Sequence, residues 1–211
     1  MSFKALLIKA VRLLLFPFSL VYFLVIWVRN RLFDWKLLPA VSFNLPIICV
    51  GNLAVGGTGK STMIEYLVSV LADQTEVATL SRGYKRKTRG YALADAHSTA
   101  LEIGDEPMQF YNKFPGLAVA VGEERLEAIP LLLHDRPETK GILLDDAFQH
   151  RHVSAGLNIL LTDYSNLYTR DWYLPVGELR DQRSSASRAD IIVVTKCKAS
   201  LSGEEAGRIR K

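Results

Sequence analysis

Three glycines, a lysine and two hydroxyls cluster at Gly56-Gly57-Thr58-Gly59-Lys60-Ser61, just after the apolar run Ile47-Ile-Cys-Val-Gly51. A glycine-rich turn between strand and helix bends around phosphates and points backbone N–H groups inward. Lysine then reaches the β- and γ-phosphates, and serine holds Mg2+. Ala54, Val55, Gly56, Gly57, Thr58, Gly59, Lys60 and Ser61 therefore read as a phosphate loop for ATP, with Ala54 where the strict pattern has its first glycine. A second apolar run ends in Asp145-Asp146. Carboxylates at such a strand end bind Mg2+ through its water shell. A third segment, Ser81 to Arg89, packs Arg82, Lys85, Arg86, Lys87 and Arg89 around Tyr84. It reads either as a solvated basic loop or as a grip on phosphates. In Gly104-Asp-Glu-Pro107, Asp105 and Glu106 either cap a helix or supply the base that takes a proton from an acceptor hydroxyl. His150 and His152 read either as solvent-facing loop residues or, in the case of His150, as a neighbour of a phosphate; neither reads as a metal ligand.

These groups need a scaffold that gathers them at one edge. From Pro46 onward, short β-branched runs alternate with helical stretches. Strands are expected at 46–50, 76–80, 117–121, 141–145, 157–162 and 190–195. Several are continuously apolar, as strands covered on both faces are. Met63, Ile64, Leu67, Val70 and Leu71 recur at helical spacing between the first two. The pattern predicts an α/β fold, a mostly parallel P-loop NTPase-like sheet flanked by helices. Ligands of such sheets bind beyond the carboxyl ends of the strands.

The chain has 211 residues and a formal charge of +4. Residues 1–36 carry six basic side chains and one acid, leaving the remainder at −1. That split excludes a basic surface spread over the whole domain, and no nucleic-acid partner is expected. Leu13 to Val28 is uncharged. As a helix it spans about 24 Å, short of a hydrocarbon core of roughly 30 Å. Upstream, Lys4, Lys9 and Arg12 share one helical arc, and Leu6, Leu7, Val11 and Leu14 the opposite one. This is the pattern of a basic amphipathic helix at a membrane interface. No small-x-small cleavage site follows Val28, which disfavours a signal peptide; a helix packed on the domain itself is the other alternative. Cys49 and Cys197 read as two buried thiols.

Taken together, VGNLAVGGTGKS at 50–61, LSRGYKRK at 80–87, GDEP at 104–107, LLDDAFQHR at 143–151, WYLPVGELRD at 172–181 and VVTKC at 193–197 resemble the tetraacyldisaccharide 4'-kinase (lipid A 4'-kinase) family. The resemblance covers essentially the whole chain but only about the N-terminal two-thirds of the family's length. It implies a membrane-associated segment at 1–36, a kinase domain at 37–211, and a second, smaller domain absent here. It implies transfer of the ATP γ-phosphate to the 4'-hydroxyl of a tetraacylated glucosamine disaccharide 1-phosphate. The expected setting is the cytoplasmic face of the bacterial inner membrane, with the lipid disaccharide and membrane lipids as partners and the protein a monomer.

Residue by residue, Lys60 and Ser61 match the phosphate and Mg2+ ligands, Asp145 and Asp146 the strand-end acids, and Asp105 the base. Arg125 matches a basic residue near the transferred phosphate. Arg82, Tyr84, Lys85, Gln149, His150, Glu178 and Arg180 match substrate-site segments. Ser61-Thr62 stands where the family usually has Thr-Pro, and Ala147 where it often has glycine. A reading from another class is a membrane-bound NTPase that acts as a nucleotide switch or assembly factor. Its GTP-binding form normally carries N-K-x-D, whereas Thr195-Lys-Cys-Lys198 lacks the acid.

Overall fold

A computed structural model describes residues 3–209. All six expected strands form: β1 (Ile47–Asn52), β2 (Val77–Ser81), β4 (Ala118–Val121), β5 (Gly141–Asp145), β6 (Leu157–Asp163) and β7 (Ile191–Thr195). A short strand absent from the sequence reading, β3 (Ala92–Leu93), runs antiparallel to β4, and every other pairing is parallel. The spatial order is β3-β4-β2-β5-β1-β6-β7.

The central strands bury alternate residues on opposite faces. Ile142 and Leu144 of β5 join one core cluster with Ile129 and Leu132 of helix α5 (Arg125–Asp135). Leu143 joins the other cluster, with Ile64 and Val68 of α2 (Lys60–Leu71) and Phe110 of α4 (Asp105–Lys113). The four-residue helix α3 (Ala100–Ile103) precedes α4, and α6 (Gly203–Ile209) follows β7. Register sets the site: Val50 pairs with Asp145, and Leu80 with Leu144. The carboxyl ends of β1, β5 and β2 therefore lie side by side.

The apolar N-terminus is one helix, α1 (Phe3–Asp34). The side chains of Lys4, Leu6, Leu7, Lys9 and Val11, on which the amphipathic reading rests, lie outside the described residues. Ser19, Phe23, Asn30 and Phe33 fall on one helical stripe and form a seam against the domain. Ser19 Oγ donates to the Tyr173 carbonyl at 2.9 Å, Phe23 meets the Tyr173 ring at 4.9 Å, and Asn30 Nδ2 donates to Asp181 Oδ1 at 2.8 Å. Arg151 pairs with Asp34 at 2.7 Å. The remaining face is apolar and open to solvent, with Phe18 64 % and Val25 62 % exposed. A soluble surface helix shows the inverse pattern, turning apolar residues inward. The stretch Leu14–Asp34 is long and apolar enough to cross a bilayer by length and composition.

Cys49 is buried, as expected, and burial pushes its thiol up to about 12. Cys197 is exposed, contrary to the sequence reading. It lies just past β7, an edge strand whose first residues, Ile191 and Ile192, are themselves exposed. The apolar run before Cys197 therefore does not signal burial.

Candidate active site

A cleft of about 680 Å³ opens over the carboxyl ends of β1, β5 and β2. Ala54, Val55, Gly56, Gly57, Gly59, Lys60 and Ser61 form one wall, Asp145 and Asp146 the floor, and Arg82, Tyr84, Glu106 and Arg180 the remaining sides. Lys60 opens α2 after Gly59, whose φ of 86° favours glycine. The positive end of α2 and the Lys60 ammonium thus face one space, a ready anion site.

The Arg180 guanidinium organises the floor. It grips both carboxylate oxygens of Asp146, one at 3.1 Å, and donates to Asn52 Oδ1 at 2.6 Å. Lys60 Nζ stands 3.6 Å from the same carboxylate. Burial would push Asp146 upward, but Arg180 and Lys60 outweigh it and hold the carboxyl below its ordinary value. Asp146 has a φ of 50°, a left-handed backbone uncommon for a non-glycine residue, and the bidentate clamp holds it there.

Asp145 is the opposite case. It is 2 % exposed, and its Oδ1 has no hydrogen-bond partner. Burial first, then repulsion from Glu106 and Asp146, pushes its pKa up to about 7. A buried carboxylate this poorly compensated is a place for a cation. Ser61 Oγ, 2.8 Å from Glu106 Oε1, and Asp145 together offer the hard oxygen donors that Mg2+ prefers. Among the described residues no group of three or more His, Cys, Asp or Glu could hold a metal ion by itself. Mg2+ does not require one, since it keeps several waters and binds through one or two carboxylates plus substrate phosphates. The residues fit Mg2+.

The remaining expected residues surround the cleft without lining it. Thr58 turns inward: its Oγ1 accepts from Asn52 at 2.9 Å and its carbonyl from Thr195 Oγ1 at 2.9 Å. Gln149 donates to the Asn52 carbonyl at 2.8 Å. The Glu178 carbonyl accepts from the Val55 amide at 2.8 Å, and its carboxylate from Asn166 at 3.1 Å. Lys85 belongs to a neighbouring hollow. Asp105 is exposed at the start of α4 and makes no capping bond. Arg125 is buried at 2 % exposure, donates to the carbonyls of Gly122 and Glu123, and leaves Nε and Nη2 without partners. Burial lowers its pKa to about 10, against the pull of Asp145.

His150 is lowered to about 4, first by burial and then by the cations Arg125, Arg82 and Arg29. It is therefore neutral at pH 7. Its imidazole C2 proton should show no titration step by NMR between pH 5.5 and 8; a midpoint near 6.5 would mean that neither burial nor those cations act on it. The depressed value favours folding above the unfolded-state pKa, and that contribution is lost as pH falls from about 6.5 toward 4.

Two contributors escaped the sequence reading. Asn52, fully buried, ties Thr58 of the phosphate loop to Arg180. Lys196 pairs with Asp163 at 2.7 Å and donates to the Gly57 carbonyl at 2.5 Å, so β7 braces the phosphate loop. Asn52 carried a signal, a polar residue closing an apolar strand just before the glycines.

Known proteins resemble this chain over most of its length. The tetraacyldisaccharide 4'-kinase of Flavobacterium johnsoniae is 54 % identical over 94 % of this chain and 58 % of its own length. That of Bacteroides thetaiotaomicron is 53 % identical over 87 % of this chain and 48 % of its own. The chain thus spans about half the length of the curated relatives it matches. The crystal structure of LpxK from Aquifex aeolicus in complex with ATP superposes with a TM-score of 0.82 at 35 % identity, covering 92 % of this chain and 62 % of that one. The family model for tetraacyldisaccharide-1-P 4'-kinase (LpxK) matches residues 11–209, nearly end to end, and the chain belongs to that family.

Proposed function

We propose that residues 37–211 form the nucleotide-binding part of a lipid kinase. It transfers the ATP γ-phosphate to the 4'-hydroxyl of a tetraacylated glucosamine disaccharide 1-phosphate. The observation that carries the reading is the cleft itself, where the Gly56–Ser61 loop, the Arg180-clamped Asp146 and Asp145, with its Oδ1 unpartnered, converge. Phosphoryl transfer requires mainly positioning and charge stabilisation, and these residues supply both.

In this reading Lys60 and the N-terminus of α2 neutralise the β- and γ-phosphates, and Arg82 approaches the transferred group from the β2 side. Ser61, Asp145 and Glu106 would hold Mg2+, which when bound offsets charge developing on the phosphate oxygens. Asp146, held ionised by Arg180 and Lys60, keeps Lys60 oriented until nucleotide arrives. Asp105, open to solvent, accepts the proton of the incoming sugar hydroxyl, and Arg125 stabilises the charge around Asp145 from behind. The reading is tested by following label from γ-labelled ATP into the lipid acceptor.

The substrate is a lipid, and α1 presents an apolar face to meet it. We propose that residues 1–36 attach the domain to the cytoplasmic face of the inner membrane, through apolar burial plus attraction of basic residues to anionic lipid. Tyr22 of α1 donates to the Arg180 carbonyl at 3.3 Å, and Arg29 to the Gln149 carbonyl at 2.8 Å, so the membrane-facing helix touches residues beside the cleft. Replacing Phe18, Val21 and Val25 together by serine, which leaves the docked seam intact, should reduce flotation with lipid vesicles at least about tenfold. Undiminished flotation would contradict the assignment.

A further inference from the structure

Beside the nucleotide cleft lies a second hollow of about 730 Å³, lined by residues 82–89 and Glu123. The two spaces share Arg82, Gly83 and Tyr84 as a common wall. The loop is built rather than loose. Arg86 turns inward, its side chain 2 % exposed, and pairs with Glu123 at 2.6 Å. The Lys87 amide donates to the Leu101 carbonyl at 2.7 Å, and Thr88 Oγ1 to that of Glu102. A Cβ on Gly83 would lie 2.8 Å from the Ile103 carbonyl, so the loop lies flat on α3. This scaffold turns Arg82, Lys85, Lys87 and Arg89 outward, and all four are exposed. Among the described residues none of them forms an ion pair. The flanking acids are already engaged, Glu123 by Arg86 and Glu102 by the capping box with Thr99.

We propose that Lys85, Lys87 and Arg89 form a second anion subsite that takes a phosphomonoester, the 1-phosphate of the acceptor. The proposal rests on the phosphotransfer reading and deepens it. Phosphate at the far end of the acceptor binds in the outer hollow, while the hydroxyl to be phosphorylated enters the nucleotide cleft. The Tyr84 ring, 72 % exposed at the boundary, offers an apolar plate to the sugar between them. Binding energy from this non-reacting group then positions the reacting one.

The test is co-flotation of the protein with phosphatidylcholine vesicles carrying the tetraacyl disaccharide with or without its 1-phosphate. Parallel vesicles carry phosphatidylglycerol in place of the disaccharide. Wild type should prefer the 1-phosphate form by about tenfold, as expected for two or three charge-assisted contacts. The K87Q/R89Q variant should lose that preference while binding the dephosphorylated form as before, and Lys87→Arg should keep it. The proposal is overturned by a wild type without preference, or by a variant that retains it. A variant losing phosphatidylglycerol vesicles and 1-phosphate vesicles in parallel also overturns it, because the loop would then be a general surface for anionic headgroups. Preserved preference without any phosphate transfer would instead remove the kinase reading and leave the subsite standing.

Discussion

Replacing Asp145 by asparagine will lower phosphate transfer by a factor on the order of 10² to 10³, comparable with loss of one preorganised charge-stabilising group. The same change will stabilise the nucleotide-free protein at pH 8. The two effects share a cause. Asp145 is buried with Oδ1 unpartnered, and burial, Glu106 and Asp146 raise its pKa to about 7. The unfolded chain ionises this group near its ordinary value, so the folded protein binds an extra proton between roughly pH 4 and 7. Its contribution to stability is full below the unfolded value and is lost as pH rises through 7. The asparagine variant escapes that loss. It should gain on the order of 2 kcal/mol at pH 8 and little at pH 4. Thermal melts of both proteins at the two pH values read this directly. An asparagine variant less stable than wild type at pH 8 would show that the carboxylate is already well compensated. On the proposed reading, function uses a group that the fold would be more stable without.

Asp105→Ala should reduce turnover at least about a hundredfold, the scale of a positioned general base, while ATP affinity stays within about twofold. Glu106→Gln should behave differently. Glu106 accepts from Ser61 Oγ at 2.8 Å and lines the nucleotide cleft, so its loss should weaken binding of nucleotide in the presence of Mg2+ as well as slow transfer. Steady-state kinetics and calorimetric titration with ATP and Mg2+ separate the two. If Asp105→Ala kept near-wild-type turnover, the proton would leave by another route.

The contrast between these neighbours shows where local sequence stops being informative. One step along a helix turns a side chain by about 100°. Which of Asp105 and Glu106 faces the cleft therefore depends on how α4 seats Phe110 in the core, not on the four letters GDEP. The strands were legible because their apolar runs are long for their surroundings; Gly141–Asp145 agrees to the residue. The two-residue β3 has no run to recognise, and its existence follows from pairing with β4.

The glycine-rich turn between β1 and α2 was readable because its parts are contiguous. Arg180 instead reaches Asn52 across 128 positions, and no local pattern records such a contact. The N-terminus was readable as apolar, but the polar seam Ser19–Asn30 becomes meaningful only with Tyr173 and Asp181 opposite it.

On the proposed reading, the cleft moves phosphate from ATP to a lipid sugar rather than to water. The most direct measurement incubates the full-length protein with γ-labelled ATP, Mg2+ and vesicles carrying tetraacyl disaccharide 1-phosphate, then counts label in lipid and in free phosphate. Label should enter the lipid only when the acceptor is present, at the 4'-position, and Lys60→Ala should abolish it. Free phosphate released at the same rate with or without the acceptor, and no labelled lipid, would contradict that reading and favour a nucleotide switch.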